Sequence, residues 1–156
     1  MLKMIRKLLP AVILAILLCG CTDARTRKLE TYRDNMTRFY DNVNAYNTRI
    51  NEIDASSDSA VADLLQNLDG LNEEFRLLRS YEIPEEFHSI SNLTTDAADS
   101  MENAVRLYHE AYDDGYQAAR VDEARGWYDR ANRCIQIILQ VLHGEEPTGD
   151  DIRITY

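Results

Sequence analysis

Over the body of the chain, apolar residues recur every three or four positions and do not alternate. Four stretches carry this helical period. The first runs Leu29, Tyr32, Met36, Phe39, Val43, Tyr46, Ile50, Ile53, a heptad seam with apolar a and d positions. Asparagines crowd between these residues, at 35, 42, 44, 47 and 51. Asparagine is a mediocre helix former, so packing rather than propensity must hold this helix. The second seam is Val61, Leu64, Leu68, Leu71, Phe75 and Leu78, with Leu65 and Leu77 beside it. Gly70 falls inside it, at a cost of about 1 kcal/mol against alanine. The third is Phe87, Ile90, Thr94, Ala97, Met101, Ala104, Tyr108, Ala111, flanked by Leu93, Val105, Leu107 and Tyr112. The fourth is Val121, Ala124, Tyr128, Ala131, Ile135, Ile138 and Leu142.

The breaks between seams are chemically marked. Residues 54–59, Asp-Ala-Ser-Ser-Asp-Ser, form a turn rich in helix-capping side chains. Pro84 followed by Glu85 and Glu86 signals a helix start, because proline suits the first helical position and acids suit the first turn. Asp113-Asp114-Gly115 ends the third helix, and Gly144 with Pro147 ends the fourth. The third seam, continued through Gly115, would fall at 115, 118, 122 and 125, whereas the fourth falls at 121, 124 and 128. The phase break predicts a reversal. Short connections make successive helices antiparallel neighbours. The expected fold is all-α: an antiparallel up-down-up-down four-helix bundle. The alternative is three helices with the asparagine-rich first helix detached as a stalk.

The stretch before the first seam has a different character. Residues 1–20 carry Lys3, Arg6 and Lys7, no acid, and an unbroken apolar run from Leu8 to Leu18. A positive start, a short apolar run and small residues at the exit describe a secretory signal. The run falls short of the roughly 20 apolar residues that span a bilayer. It closes on Leu18-Cys19-Gly20-Cys21, which resembles the lipobox of bacterial lipoproteins. Leu18 and Gly20 fit the pattern, and Cys19 stands where Ala or Ser is usual. The resemblance covers the first 21 residues. It implies cleavage between Gly20 and Cys21, a diacylglycerol thioether on Cys21, and a protein exported and anchored to the bacterial cell membrane through that lipid. Two or more acyl chains anchor stably, where one is marginal. The expected organisation is therefore a signal peptide at 1–20, a lipidated N-terminus and tether at 21–28, the helical bundle at 29–143, and a C-terminal tail at 144–156.

Charge narrows the partners. The chain carries a formal charge of −10; loss of Lys3, Arg6 and Lys7 with the signal makes this −13. An acidic domain is repelled by nucleic-acid phosphates, so no nucleic-acid partner is expected. Anionic headgroups repel it too, so the domain is expected to stand off the membrane on its lipid. Of three cysteines, Cys19 leaves with the signal and Cys21 is lipidated, so Cys134 has no internal partner and the core must come from packing.

Candidate chemistry downstream of Cys21 is thin. Glu85-x-x-His88 has the spacing of a carboxylate-bridged di-metal site, but such a site needs a second Glu-x-x-His and two more inward glutamates. The only counterpart, Gln140-x-x-His143, lacks the carboxylate. No metal and no cofactor are expected. Cys134 adjoins the seam and reads as a buried small apolar residue, despite Arg130 and Arg133 nearby. Tyr32, Tyr46, Tyr108 and Tyr128 fall on seams and read as core residues with hydroxyls reaching outward; a tyrosine-lined cavity is the alternative. Trp127 lies off the seam and reads as cover for a bundle edge or part of a partner surface. The tail alternates Ile152 and Ile154 with polar residues up to Tyr156 and reads as loosely docked. No phosphate loop, nucleophile elbow or metal-binding cysteine spacing occurs. The expected function is a membrane-anchored lipoprotein with a non-catalytic interaction domain and an envelope-protein partner. The alternative is a bundle that binds a small ligand or a metal.

Overall fold

Each seam folds as a helix, and the seams face one another. The structure is a computed structural model; it describes residues 2–113 and 115–145, with side chains from Ala24 onward. Helix α1 spans Leu2–Asn51, α2 Ala60–Ser80, α3 Ser91–Asp113 and α4 Ala118–Leu142. Beyond its helical backbone the Gly20-Cys21 site lies outside the described residues, as do the tail residues 146–156.

Polar side-chain contacts across α2 and α3 reveal their direction. Asp69 meets His109, Arg76 meets Glu102, and Arg79 meets Asp99. Each step up α2 is matched by an equal step down α3, the signature of antiparallel helices in register. Phe39 of α1 meets Phe75 of α2 edge-on with ring centroids 5.4 Å apart, and Tyr46 lies over Gly70. These two helices are antiparallel as well. Neighbours in sequence are therefore neighbours in space, and the fold is the expected antiparallel four-helix bundle.

The core follows the seams closely. Tyr32, Met36, Phe39 and Val43 of α1 are buried with Leu68, Leu71, Phe75 and Leu78 of α2. They join Ile90, Ala97 and Met101 of the α3 arm and Ala131, Ile135 and Ile138 of α4 in one cluster. Burying a side chain of Leu, Ile or Phe size contributes roughly 1.5–3 kcal/mol. The asparagine-rich helix is thus a full member of the bundle, and the detached stalk is set aside. Tyr128 of α4 also donates its hydroxyl hydrogen bond to Asn47 Oδ1 at 2.6 Å, joining α4 to α1.

The α3–α4 pair is packed most closely. Its seams explain why. Ala97, Ala104 and Ala111 recur every seven residues on α3, and Ala124 and Ala131 do so on α4. All five are fully buried. Small side chains let two backbones approach, and α3 and α4 then bury wider stripes than the seams alone. Ala98, Ser100 and Ile137 are buried off the seam. By contrast Val61, on the second seam, is 42% exposed, because it sits in the first turn of α2 beyond the end of the core.

One start differs from the expectation. The chain after Pro84 forms a 3₁₀ turn, Glu85–Ile90, and regular α-helix begins only at Ser91. Phe87 leaves helical geometry, at φ −115° and ψ 16°, and its ring packs on Tyr32 with centroids 5.8 Å apart. Aromatic packing overrides the helix-start signal here. The far end of α4 is conventional. Gly144 takes φ +80°, Gly144 N–H bonds Val141 O, and Glu145 N–H reaches back to Gln140 O. This is a Schellman cap, which needs the left-handed residue that glycine supplies at no steric cost.

Candidate functional site

The up-down-up-down path brings three things to one end of the bundle: the first turns of α1 beyond Cys21, the α2–α3 connection, and the end of α4. The segment 21–28, expected as a tether, is helical along its length and continuous with the bundle part of α1. Between that segment and the α2–α3 connection lies an open groove of about 390 Å³. One wall is Ala24, Arg25 and Lys28; the other is formed by residues 82–86 and His88.

Local chemistry shapes both walls. Arg25 and Lys28 are three apart and share one helix face. Pro84, at φ −59° and ψ 152°, holds the facing strand of chain extended, and it is buried while Glu85 and His88 stay exposed. Two ion pairs bridge the walls. Arg25 Nε donates to Glu86 Oε1 at 2.6 Å, and Lys28 Nζ donates to Glu82 Oε1. The Glu86 carboxyl is held below the usual carboxylate range, first by its own backbone N–H and then by Arg25. Glu86 in turn pushes the Arg25 guanidinium pKa up. Both pairs are solvent-exposed, and exposed pairs contribute roughly 0–1 kcal/mol. The groove thus presents both signs of charge, loosely held. Below it, Tyr32 stacks on Phe87. Its hydroxyl is buried without a hydrogen-bond partner among the described residues, and burial pushes its pKa up to about 12.

The sequence candidates fall around this frame. Glu85 and His88 lie on the groove rim. His143 caps α4, at the same end of the bundle. Among the described residues, no three His, Cys, Asp or Glu side chains come close enough together to hold a metal ion. Cys134 is fully buried and free, and burial pushes its thiol up to about 11, so the nucleophilic thiolate is disfavoured. Tyr46, Tyr108 and Tyr128 are half-buried on the core. The Tyr108 and Tyr128 hydroxyls are pushed up mainly by burial. Trp127 is half-buried with the Arg130 guanidinium 5.8 Å from its ring centre, a cation–π contact on the bundle edge.

The sequence reading named Pro84, Glu85, Glu86 and His88 for other reasons, but the groove they share with Arg25 and Lys28 escaped it. Arg25 and Glu86 are 61 residues apart, and Lys28 and Glu82 are 54 apart. No periodic pattern links such positions. The available signal was a pair of same-face cations one to two turns past Cys21. No helix among the described residues is long and apolar enough to cross a membrane. No family model matches the chain, and neither does any curated protein or solved structure.

Proposed function

We propose that this chain is a bacterial lipoprotein, anchored to the cell membrane through an acylated Cys21, whose helical bundle acts by contact with an envelope protein rather than by catalysis. One observation carries the reading: the cationic start, the apolar run Leu8–Leu18 and the lipobox-like Leu18-Cys19-Gly20-Cys21 stand in that order. Two further points support it. The single thiol that remains after processing is buried and proton-bound, which suits packing and not nucleophilic chemistry. The surface is strongly acidic, which suits a protein partner better than a nucleic acid.

The test is an intact-mass measurement on protein extracted from membranes. The expected chain begins at Cys21 and carries the mass of its acyl chains. A Cys21→Ser variant is expected to keep its signal segment or to leave the membrane. Retention of Met1 in the wild type, or unchanged processing and membrane retention of the variant, would refute the anchor. In-cell cross-linking then tests the partner: recurrent capture of one envelope protein is expected. A small molecule co-purifying with the bundle and no captured protein would count against the contact reading.

A further inference from the structure

We propose that the groove between Arg25–Lys28 and Glu82–Glu86 seats the headgroups of zwitterionic aminophospholipids, so that this end of the bundle rests on the bilayer. The inference rests on the lipid anchor at Cys21 proposed above. Its geometry is simple. Helix α1 runs unbroken from residue 21 into the bundle, so in a chain cleaved before Cys21 only the first helical turn, with its unpaired N–H groups, separates the lipid from the bundle. Ala24 is three residues past Cys21 and Lys28 seven, which at 1.5 Å per residue is about 5 Å and about 10 Å along the axis. The polar layer of a bilayer is roughly 5–7 Å deep on each side. With α1 along the membrane normal, an acylated Cys21 at the edge of the hydrocarbon therefore places Ala24 and Arg25 among the headgroups and Lys28 just above them, within reach of its long side chain. On this proposal the domain meets the membrane end-on, in place of the stand-off expected from net charge.

Charge selects the kind of headgroup. The chain as a whole is acidic, and Glu82, Glu85 and Glu86 repel a purely anionic surface. A headgroup with both a phosphate and a primary ammonium matches the two walls at once. Arg25 and Lys28 donate to the phosphate oxygens, and Glu82 and Glu86 accept from the ammonium. The groove's own ion pairs are exposed, so opening them to admit a headgroup sacrifices little. Each charge finds a replacement of the right sign. A choline headgroup carries the same phosphate but a methylated nitrogen with no N–H to donate, so it meets the carboxylates through charge alone, without hydrogen bonds.

The experiment uses the full acylated protein, its mass verified, in vesicles of phosphatidylcholine with or without phosphatidylethanolamine. A fluorophore is attached at Ser89→Cys, exposed beside the groove, or at Ala119→Cys, exposed at the opposite end of the bundle. Headgroup-spin-labelled lipid reports proximity by quenching. Several-fold stronger quenching at 89 than at 119 is expected, increasing when phosphatidylethanolamine is present. Glu82→Gln with Glu86→Gln is expected to abolish that increase and leave the anchor intact. Acylated protein quenched equally at both positions, or quenched at 89 with no preference for the primary amine, overturns this proposal and leaves the anchor standing. Quenching at 89 that appears only after residues 146–156 are removed assigns the groove to the chain's own tail and also overturns it. A Cys21 without acyl mass removes both.

Discussion

Replacing Gly70 by alanine is expected to destabilise the bundle, although alanine is the better helix former. A Cβ at position 70 would lie 2.4 Å from Tyr46 Cε1, 2.5 Å from Cζ and 2.6 Å from the hydroxyl oxygen. Ordinary carbon–carbon contact is about 3.5–4.0 Å, so the ring must retreat by roughly 1 Å or the helices must part. Tyr46 is not free to swing away: its ring packs on the core, and the Arg49 guanidinium lies 5.2 Å from its centre. Overpacking of this kind costs about 1–3 kcal/mol. The propensity gain of alanine over glycine offsets about 1 kcal/mol. Gly70→Ala alone should therefore cost between zero and about 2 kcal/mol. In a Tyr46→Ala background the obstruction is gone, and the same substitution should stabilise by about 1 kcal/mol. The coupling between the two sites is then about 1–3 kcal/mol. Urea unfolding followed by far-UV circular dichroism, on the wild type, both single variants and the double variant, measures it. Equal stabilisation by Gly70→Ala in both backgrounds would refute the close approach of Tyr46 and with it the α1–α2 register.

Two further outcomes follow from burial. Ala104→Leu puts a large side chain between the closely packed α3 and α4; it should destabilise by about 1–3 kcal/mol or more in the same unfolding assay, and a stabilising effect would mean that the two helices do not meet through their alanines. Cys134 and Tyr32 are raised by burial to about 11 and about 12, so their contribution is complete below their ordinary values near 9 and 10 and is lost as pH rises through 11 and 12. A Cys134→Ala bundle should lose less stability than the wild type between pH 9 and pH 11, by on the order of 2–3 kcal/mol, and a native thiol that reacts rapidly with alkylating reagent at neutral pH would contradict its burial.

The helices were legible because their apolar spacing is regular, and the phase break at Gly115 was enough to separate α3 from α4. The seams also foretold most of the core, from Tyr32 through Ile138. What escaped has a common cause, which is that it depends on contacts between distant segments. Gly70 reads as a flaw in a helix until Tyr46, 24 positions earlier, is seen lying over it. The 3₁₀ start before α3 reads as a plain helix until Phe87 is seen against Tyr32. The wider stripes of α3 and α4 follow from how near the two backbones come, which residue type suggests only once the pairing is known. The groove is the extreme case, since each of its ion pairs joins α1 to the α2–α3 connection. Cys21 is different in kind: its proposed role rests on the short stretch before it, and the bundle beyond it carries no trace of that chemistry.

The uneven spacing of the helices has a dynamic consequence. Alanine brings α3 and α4 together along their length, and a connection of a few residues joins them. Helix α1 meets α4 with sparse backbone approach, through long side chains such as Tyr128 reaching Asn47. Loop-closure entropy is small for the first pairing and large for the second. The α3–α4 hairpin is therefore the unit expected to assemble early and open last, and the α1–α4 seam the one expected to open first. A lipid at the start of α1 would then hold the late-joining helix at a surface while the α3–α4 hairpin keeps its fold beside it.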